Sequence, residues 1–167
     1  HKMYRENNPD LNPDFIFAFP AYNLRNNEIG GIMGLSQLKR LDNIIMRRTE
    51  NLKRFIGQID PAKYRTDFKL EGSSNYAFNL ILKKPDYDFV ERLMKAMHES
   101  GIEFRRGSAG GGNQTRQPYI KKILPENCHL SFPETEHIHF FGFYIGNFPD
   151  LNDNDIDDIC SILNSVK

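Results

Sequence analysis

Three arginines flank a glycine-rich run in Phe104-Arg105-Arg106-Gly107-Ser108-Ala109-Gly110-Gly111-Gly112-Asn113-Gln114-Thr115-Arg116-Gln117-Pro118. Glycine lets a backbone come close to a ligand, and a guanidinium pairs with a carboxylate or phosphate through two parallel hydrogen bonds. The run therefore has the residue types of an anion site. It is not a nucleotide P-loop, because no Gly-Lys-Ser/Thr follows the glycines. If Arg105 and Arg106 end a strand, their side chains leave on opposite faces, so only one of the two can serve a given site. A solvated flexible loop has the same composition, and residue types alone leave both readings open.

A second anion candidate lies upstream, where Asn23 and Arg25 stand just ahead of Glu28 in Tyr22-Asn23-Leu24-Arg25-Asn26-Asn27-Glu28. The first turn of a helix presents free N–H groups and the positive end of its dipole, which suits a phosphate. A turn asparagine beside a surface arginine is the plainer alternative. His137 and His139 lie two apart, with Cys128 and His129 nearby. Structural zinc needs four well-spaced ligands, so half-buried histidines at the edge of an aromatic strand are the preferred reading and no metal is expected. The acidic run Asp150 to Asp158 lacks the glycine and terminal glutamate of a calcium loop and reads as helix capping. No Ser-His-Asp or Cys-His arrangement follows from the spacing.

The elements that must hold these residues come from the periodicity. Phe15 to Tyr22 reads as a short extended segment interrupted by Pro20. Glu28 to about Ile56 reads as one long helix, with Ile29, Ile32, Met33, Leu38, Leu41, Ile45, Leu52, Phe55 and Ile56 inward and Asn26 or Asn27 as its cap. Gly30, Gly31 and Gly34 in its first turns imply that another backbone or a partner subunit comes close. Asn75 to Leu82, Ile102 to Arg106 and His139 to Ile145 are the strand candidates. Asp86 to Ser100, closed by Gly101, and Asp155 to Val166 are further helices, while Gly107 to Pro133 is a long irregular loop. The fold class is α+β: a long helix and further helices packed on a small, mainly antiparallel sheet.

Composition narrows the setting. The 167 residues suit one domain with a real core, and 22 basic against 22 acidic residues give no field that would draw nucleic acid or an anionic membrane. Two cysteines make no disulfide framework, no stretch has the ~20 apolar residues of a membrane span, and a reduced, cytoplasmic setting is expected. The polar start, with Met3 in third place, reads as a chain running into an existing fold.

The segments Asn12 to Arg25, Glu28-Ile29 and Gly34 to Asp42 together resemble the Tyr-Asn-x-Arg-x-x-Glu-Ile motif and following helix of the DegT-type sugar aminotransferases. Tyr64 to Phe68, Phe104 to Gly107, Gly110 to Gln114, Arg116 to Tyr119 and His137 to Asn147 look most like its nucleotide-sugar 3-dehydratase branch, which acts on GDP-4-keto-6-deoxymannose. The resemblance implies the C-terminal small domain of a fold-type-I, aspartate-aminotransferase-like enzyme. Residues 1–26 would form a leading interface segment and 27–167 the C-terminal domain. The large domain that binds pyridoxal phosphate or pyridoxamine phosphate would precede His1, and with it every catalytic residue, leaving this chain inactive alone. It further implies a homodimer with shared sites, with Asn23 and Arg25 serving the cofactor phosphate. Arg106, Arg105, Arg116, Asn113 and His139 would serve the GDP-sugar or the glutamate/2-oxoglutarate amino donor. The implied setting is deoxysugar and lipopolysaccharide O-antigen biosynthesis. The alternatives it leaves are an aminotransferase of the same family, decided by a lysine or histidine base upstream, and an inert dimerisation or binding module. Asn27 stands where the family has threonine, and Gly30 and Gly31 replace its small helix residues.

Overall fold

The computed structural model describes residues 2–22 and 27–167. Asn23 and Arg25 lie outside the described residues. A short helix α1 (Lys2–Asn7) occupies the polar start, which the sequence reading leaves as loop. The helices α2 (Glu28–Leu38), α3 (Leu41–Gln58), α4 (Tyr87–Glu99), α5 (Pro118–Lys121), α6 (Pro133–Phe141) and α7 (Asp153–Ser165) alternate with strands β1 (Ala77–Ile81), β2 (Phe104–Arg106) and β3 (Gly142–Gly146). The strands form one antiparallel sheet in the order β1-β3-β2, so the α+β architecture with a small antiparallel sheet is observed.

Register decides which side chains meet. Phe78 and Phe104 both pair with Ile145, and Leu80 and Arg106 both pair with Phe143, so these residues share one face. That face packs on Leu52 and Phe55 of α3, Val90, Leu93 and Met97 of α4, and Ile156, Cys160 and Leu163 of α7. Phe55 stacks on Phe78 with ring centroids 4.5 Å apart. The other face carries Asn79, Tyr144 and Arg105 in register across its middle. At the sheet's end the buried Asn147 side chain donates to the carbonyls of Arg48 and Asn75 and accepts from Asn51, whose own buried Oδ1 has no partner among the described residues.

The caps explain why some boundaries are legible. Asp86 accepts from the Phe89 N–H at the start of α4, and Gly101 (φ +70°) follows its end. Asn152 and Asp155 form a reciprocal capping box at the start of α7, which accounts for the acidic run. Asn27 caps α2 through the Gly30 N–H.

Four expectations are corrected. The helix expected over 28–56 is two helices, interrupted at Lys39 and Arg40, and its first part buries nothing: Ile29, Ile32, Met33, Leu35 and Leu38 are all exposed. In residues 28–38 the apolar side chains spread over more than half of the helix circumference, too broad to name one inward stripe. Gly31 and Gly34 meet nothing within 4 Å. The Phe15 to Tyr22 segment joins no ladder; Phe17 is held instead by its N–H on the Gln117 side chain and its carbonyl on the Tyr119 N–H. The 107–133 loop contains single turns at Ala109–Gly111, Gln114–Arg116 and Cys128–Ser131 besides α5. Finally, 139–141 are helix, and the strand begins only at Gly142. Pro133 at the first helical position and Glu134 and Glu136 in the first turn start α6 despite its aromatic content.

Phe78→Ala should lower unfolding stability by about 3–5 kcal/mol, because it removes a fully buried ring stacked on Phe55. Ile32→Ala, on the exposed α2, should stay within about 0.5 kcal/mol. Urea titrations followed by circular dichroism measure both, and equal losses would contradict the core placed here.

Candidate functional site

Strand β2 separates the two neighbouring arginines as alternation requires. Arg105 is exposed on the Tyr144 side, in a cavity of about 600 Å³ with Tyr76, Glu103 and Asp158. Arg106 turns to the helix-covered side. Its guanidinium lies 5.7 Å from the centre of the Phe143 ring and donates from Nη2 to the Phe140 carbonyl at 2.9 Å. Among the described residues it forms no ion pair, and its buried Nε has no hydrogen-bond partner. Burial pulls the Arg106 guanidinium below its ordinary pKa, partly offset by Tyr87. The residue borders a cavity of about 410 Å³ whose wall includes Ser108, His139, Glu91, Met94 and Asp10.

Arg116 is placed differently. Its guanidinium pairs with both Glu136 and Asp10 and lies 5.0 Å from the Phe140 ring centre. Glu136 also accepts from the Asn113 side chain at 2.9 Å, and Asn113 Oδ1 accepts from Thr115. His139 closes the set: its Nδ1 accepts the Asn113 backbone N–H at 3.1 Å, and its Nε2 donates to the Asp10 carbonyl at 3.0 Å. Burial, ahead of the opposing bond to Asp10, holds the His139 pKa below its ordinary value and keeps the ring neutral. Burial pushes the Glu136 carboxyl up, but its bonds to Arg116 and Asn113 outweigh that and leave it below the usual carboxylate range.

Close approach requires glycine at two positions of this loop. A Cβ at Gly107 would stand 1.9 Å from the Ile138 carbonyl oxygen, and one at Gly112 (φ +59°) 2.1 Å from His139 Nδ1. The loop is thereby pressed onto α6, and the buried Gln117 side chain ties it to the carbonyls of Phe15 and Gly111.

Of the residues singled out in the sequence, the structure brings Arg106, Asn113, Arg116 and His139 into one cluster and puts Arg105 on the far face. His137 and His139 do not share a face, because on a helix residues two apart diverge. His137 bonds the Leu82 carbonyl instead. Among the described residues no group of three or more His, Cys, Asp or Glu side chains could hold a metal. Asp10, Glu136 and Gln117 are missed by the sequence reading. Glu136 carried a signal, since a helix started by Pro133 puts 136 and 139 on adjoining positions of one face.

Glu136→Gln should cost about 1–3 kcal/mol at neutral pH, because Arg116 would lose a charged partner in a half-buried setting. With a folded pKa below the ordinary value, the Glu136 carboxylate contributes stability above about pH 4.5, and this is lost as the pH falls through the lower folded value. Urea titrations at about pH 7 and about pH 3 should therefore show the variant's deficit shrinking in acid; an undiminished deficit would rule out the charged pair as its source.

Residues 2–164 match the DegT/DnrJ/EryC1/StrS aminotransferase family. Over 134 residues the chain is 28% identical to the GDP-4-keto-6-deoxy-D-mannose 3-dehydratase of Escherichia coli O55:H7 and 30% identical to that of Yersinia pseudotuberculosis. Each match takes in 80% of this chain, which spans about a third (34%) of the length of either relative. Among solved structures, the E. coli GDP-4-keto-6-deoxy-D-mannose-3-dehydratase with bound hydrated PLP superposes with a TM-score of 0.63 at 23% identity, covering 96% of this chain and 44% of that one. That likeness establishes the fold as a part of the aminotransferase architecture. With a family match running through nearly all its residues, the chain belongs to the DegT/DnrJ/EryC1/StrS aminotransferase family.

Proposed function

We propose that the chain is the C-terminal, substrate-facing part of a nucleotide-sugar 3-dehydratase that uses pyridoxal phosphate or pyridoxamine phosphate, with glutamate as amino donor. The reaction would be removal of the 3-hydroxyl of GDP-4-keto-6-deoxymannose, in deoxysugar and O-antigen biosynthesis. The observation that carries this reading is the contrast between two arginines. Arg116 is neutralised inside the chain by Glu136 and Asp10, whereas Arg106 borders an open cavity with no carboxylate paired to it among the described residues. A half-buried guanidinium without a counter-charge favours an incoming anion, here the donor carboxylate or a phosphate of the sugar nucleotide. The two dehydratase relatives support the sugar and its nucleotide.

When bound, the cofactor supplies the amine that activates the keto sugar for loss of its hydroxyl. Among the described residues no lysine lines the Arg106 cavity, so covalent attachment of a cofactor is assigned to nothing in this part of the chain. The cofactor phosphate is assigned to Asn23 and Arg25. What the described residues do is bind and orient: Arg106 fixes an anion, with Ser108 and His139 on the cavity wall. The domain division at 26/27, a homodimer with shared sites and a cytoplasmic location belong to the same proposal. The exposed apolar side chains of α2 support a partner surface, and no helix among the described residues is long and apolar enough to cross a membrane.

An aminotransferase of the same family is the second reading, favoured by the family to which the chain belongs. Incubating the full-length protein with GDP-4-keto-6-deoxymannose and glutamate separates the two by product mass. A product that has lost its 3-hydroxyl supports the proposal, and an aminated one that keeps the 3-hydroxyl replaces it. In that assay Arg106→Gln should raise a substrate KM roughly tenfold to a hundredfold, the worth of a charged hydrogen bond, with cofactor affinity unchanged. Arg105→Gln should be mild, and Asn23→Ala should weaken the cofactor instead. A silent Arg106→Gln beside a damaging Arg105→Gln would move the anion site to the other face of the sheet.

A further inference from the structure

The bonds of His139 define its chemistry closely. Nδ1 accepts an N–H from Asn113 while Nε2 donates to the carbonyl of Asp10, and only the neutral ring with its proton on Nε2 can do both. The ring is 2% exposed and lies against Gly112, where a side chain would overlap it. It also forms part of the wall of the cavity that Arg106 and Ser108 share. The imidazole thus touches three of the pieces that line that cavity, the glycine loop, the segment around Asp10 and its own helix α6, while α4 and β2 supply the rest.

We propose that His139 is a positioning residue, which fixes the Asn113 backbone of the Gly107 to Gln117 loop beside the Arg106 cavity and lets that N–H go when Nδ1 is protonated. A proton on Nδ1 sets one N–H against another, so the Asn113 backbone N–H loses its acceptor, while the Nε2 bond to Asp10 and the bonds of Asn113 and Arg116 to Glu136 survive. The charged neighbours are Arg116 and Glu136, which face each other beside the ring, and the Asp10 carboxylate on Arg116. Arg106 and Glu91 stand on the cavity wall, and His129 acts on Glu136 from the preceding turn. Burial and the Arg116 cation disfavour a second positive charge on the ring; Glu136 and Asp10 oppose this in part. The sign follows. A histidine whose folded pKa is depressed contributes its ordering above its ordinary value of about 6.5, and this is lost as the pH falls through the lower folded value. The inference rests on the Arg106 reading only for its consequence at the cavity.

The test is made on the full chain without ligand, so its failure is distinct from failure of the anion-site reading. Nitrogen-15 spectra of His139 should show the Nε2–H tautomer, with a titration midpoint below about 6.5. Hydrogen-exchange protection at the Asn113 amide, corrected for intrinsic pH dependence, should fall about tenfold as the pH drops through that midpoint, while core amides of Phe78 and Ile145 keep theirs. Two variants separate positioning from space-filling. His139→Asn keeps an acceptor near the Nδ1 place and should retain Asn113 protection. His139→Gln keeps only a donor near the Nε2 place and should lose it about tenfold. Equal loss in both, no loss in either, or the Nδ1–H tautomer in the spectrum would overturn the assignment. The wild-type titration decides the matter even if neither variant folds.

Discussion

The neutralisation of Arg116 is the constraint on which the site's shape depends. A guanidinium keeps its proton, and in its position between α6 and the N-terminal segment Arg116 is met by a carboxylate from each side. Glu136 comes from α6 and Asp10 from far away in sequence, and the ion pairs therefore join the N-terminal segment to α6. The remaining polar groups follow from that join. Glu136 still has lone pairs, which Asn113 fills; Asn113 has a backbone N–H to place, which His139 accepts; His139 has a proton, which the Asp10 carbonyl takes. Each group satisfies its neighbour, and the chain of bonds returns to Asp10 where it began.

That closure gives neighbouring arginines different parts. In residue type Arg106 and Arg116 are equal candidates for an anion site, but a guanidinium already held by two carboxylates gains little from a third anion and would have to give one up. Arg106, supported by a carbonyl and an aromatic face, has no such competitor among the described residues. Sheet register matters as much. Because β2 pairs Arg106 with Phe143, the guanidinium enters the helix-covered side, and shifting the strand by one residue would exchange it with Arg105.

Much of the scaffold was legible in the sequence for local reasons. Asp86 and Asn152 are capping residues whose partners lie three positions away, so the starts of α4 and α7 are encoded locally, although the start expected for the latter at Asp155 is two residues late. The alternation of Phe78 and Leu80 marked β1 in the same way. The opposite faces of Arg105 and Arg106 followed from strand geometry alone. What could not be read depended on distant partners. The aromatic residues around His139 favour sheet in sequence, whereas Pro133 and two glutamates begin a helix that runs through it. Phe15 to Tyr22 looked like a strand but is held by Gln117, about a hundred residues on, through side-chain bonds that no periodicity records. The cluster's composition was visible as types, yet the engagement of Arg116 was not, because nothing local links residues 10, 116 and 136.

Helix α2 presents the opposite physical situation, being ordered without any cover within the described chain. Eleven residues are fewer than the roughly 12–15 at which an isolated helix becomes even marginal in water, and each of its glycines weakens it by about 1 kcal/mol relative to alanine. The Asn27 cap returns about 1 kcal/mol, which does not offset three glycines. A helix with that balance would need apolar burial to be stable, and Ile29, Ile32, Met33, Leu35 and Leu38, all exposed within the described residues, are the side chains with area to bury. Since Gly31 and Gly34 have open space where a Cβ would be, a surface seated there can come nearer to the backbone than alanine would permit. This supports a partner surface beyond the described residues, set against α2. The core under α3, α4 and α7 is complete without it, so in the proposed assembly the helix is free for a partner while the Arg116 network shapes the Arg106 cavity.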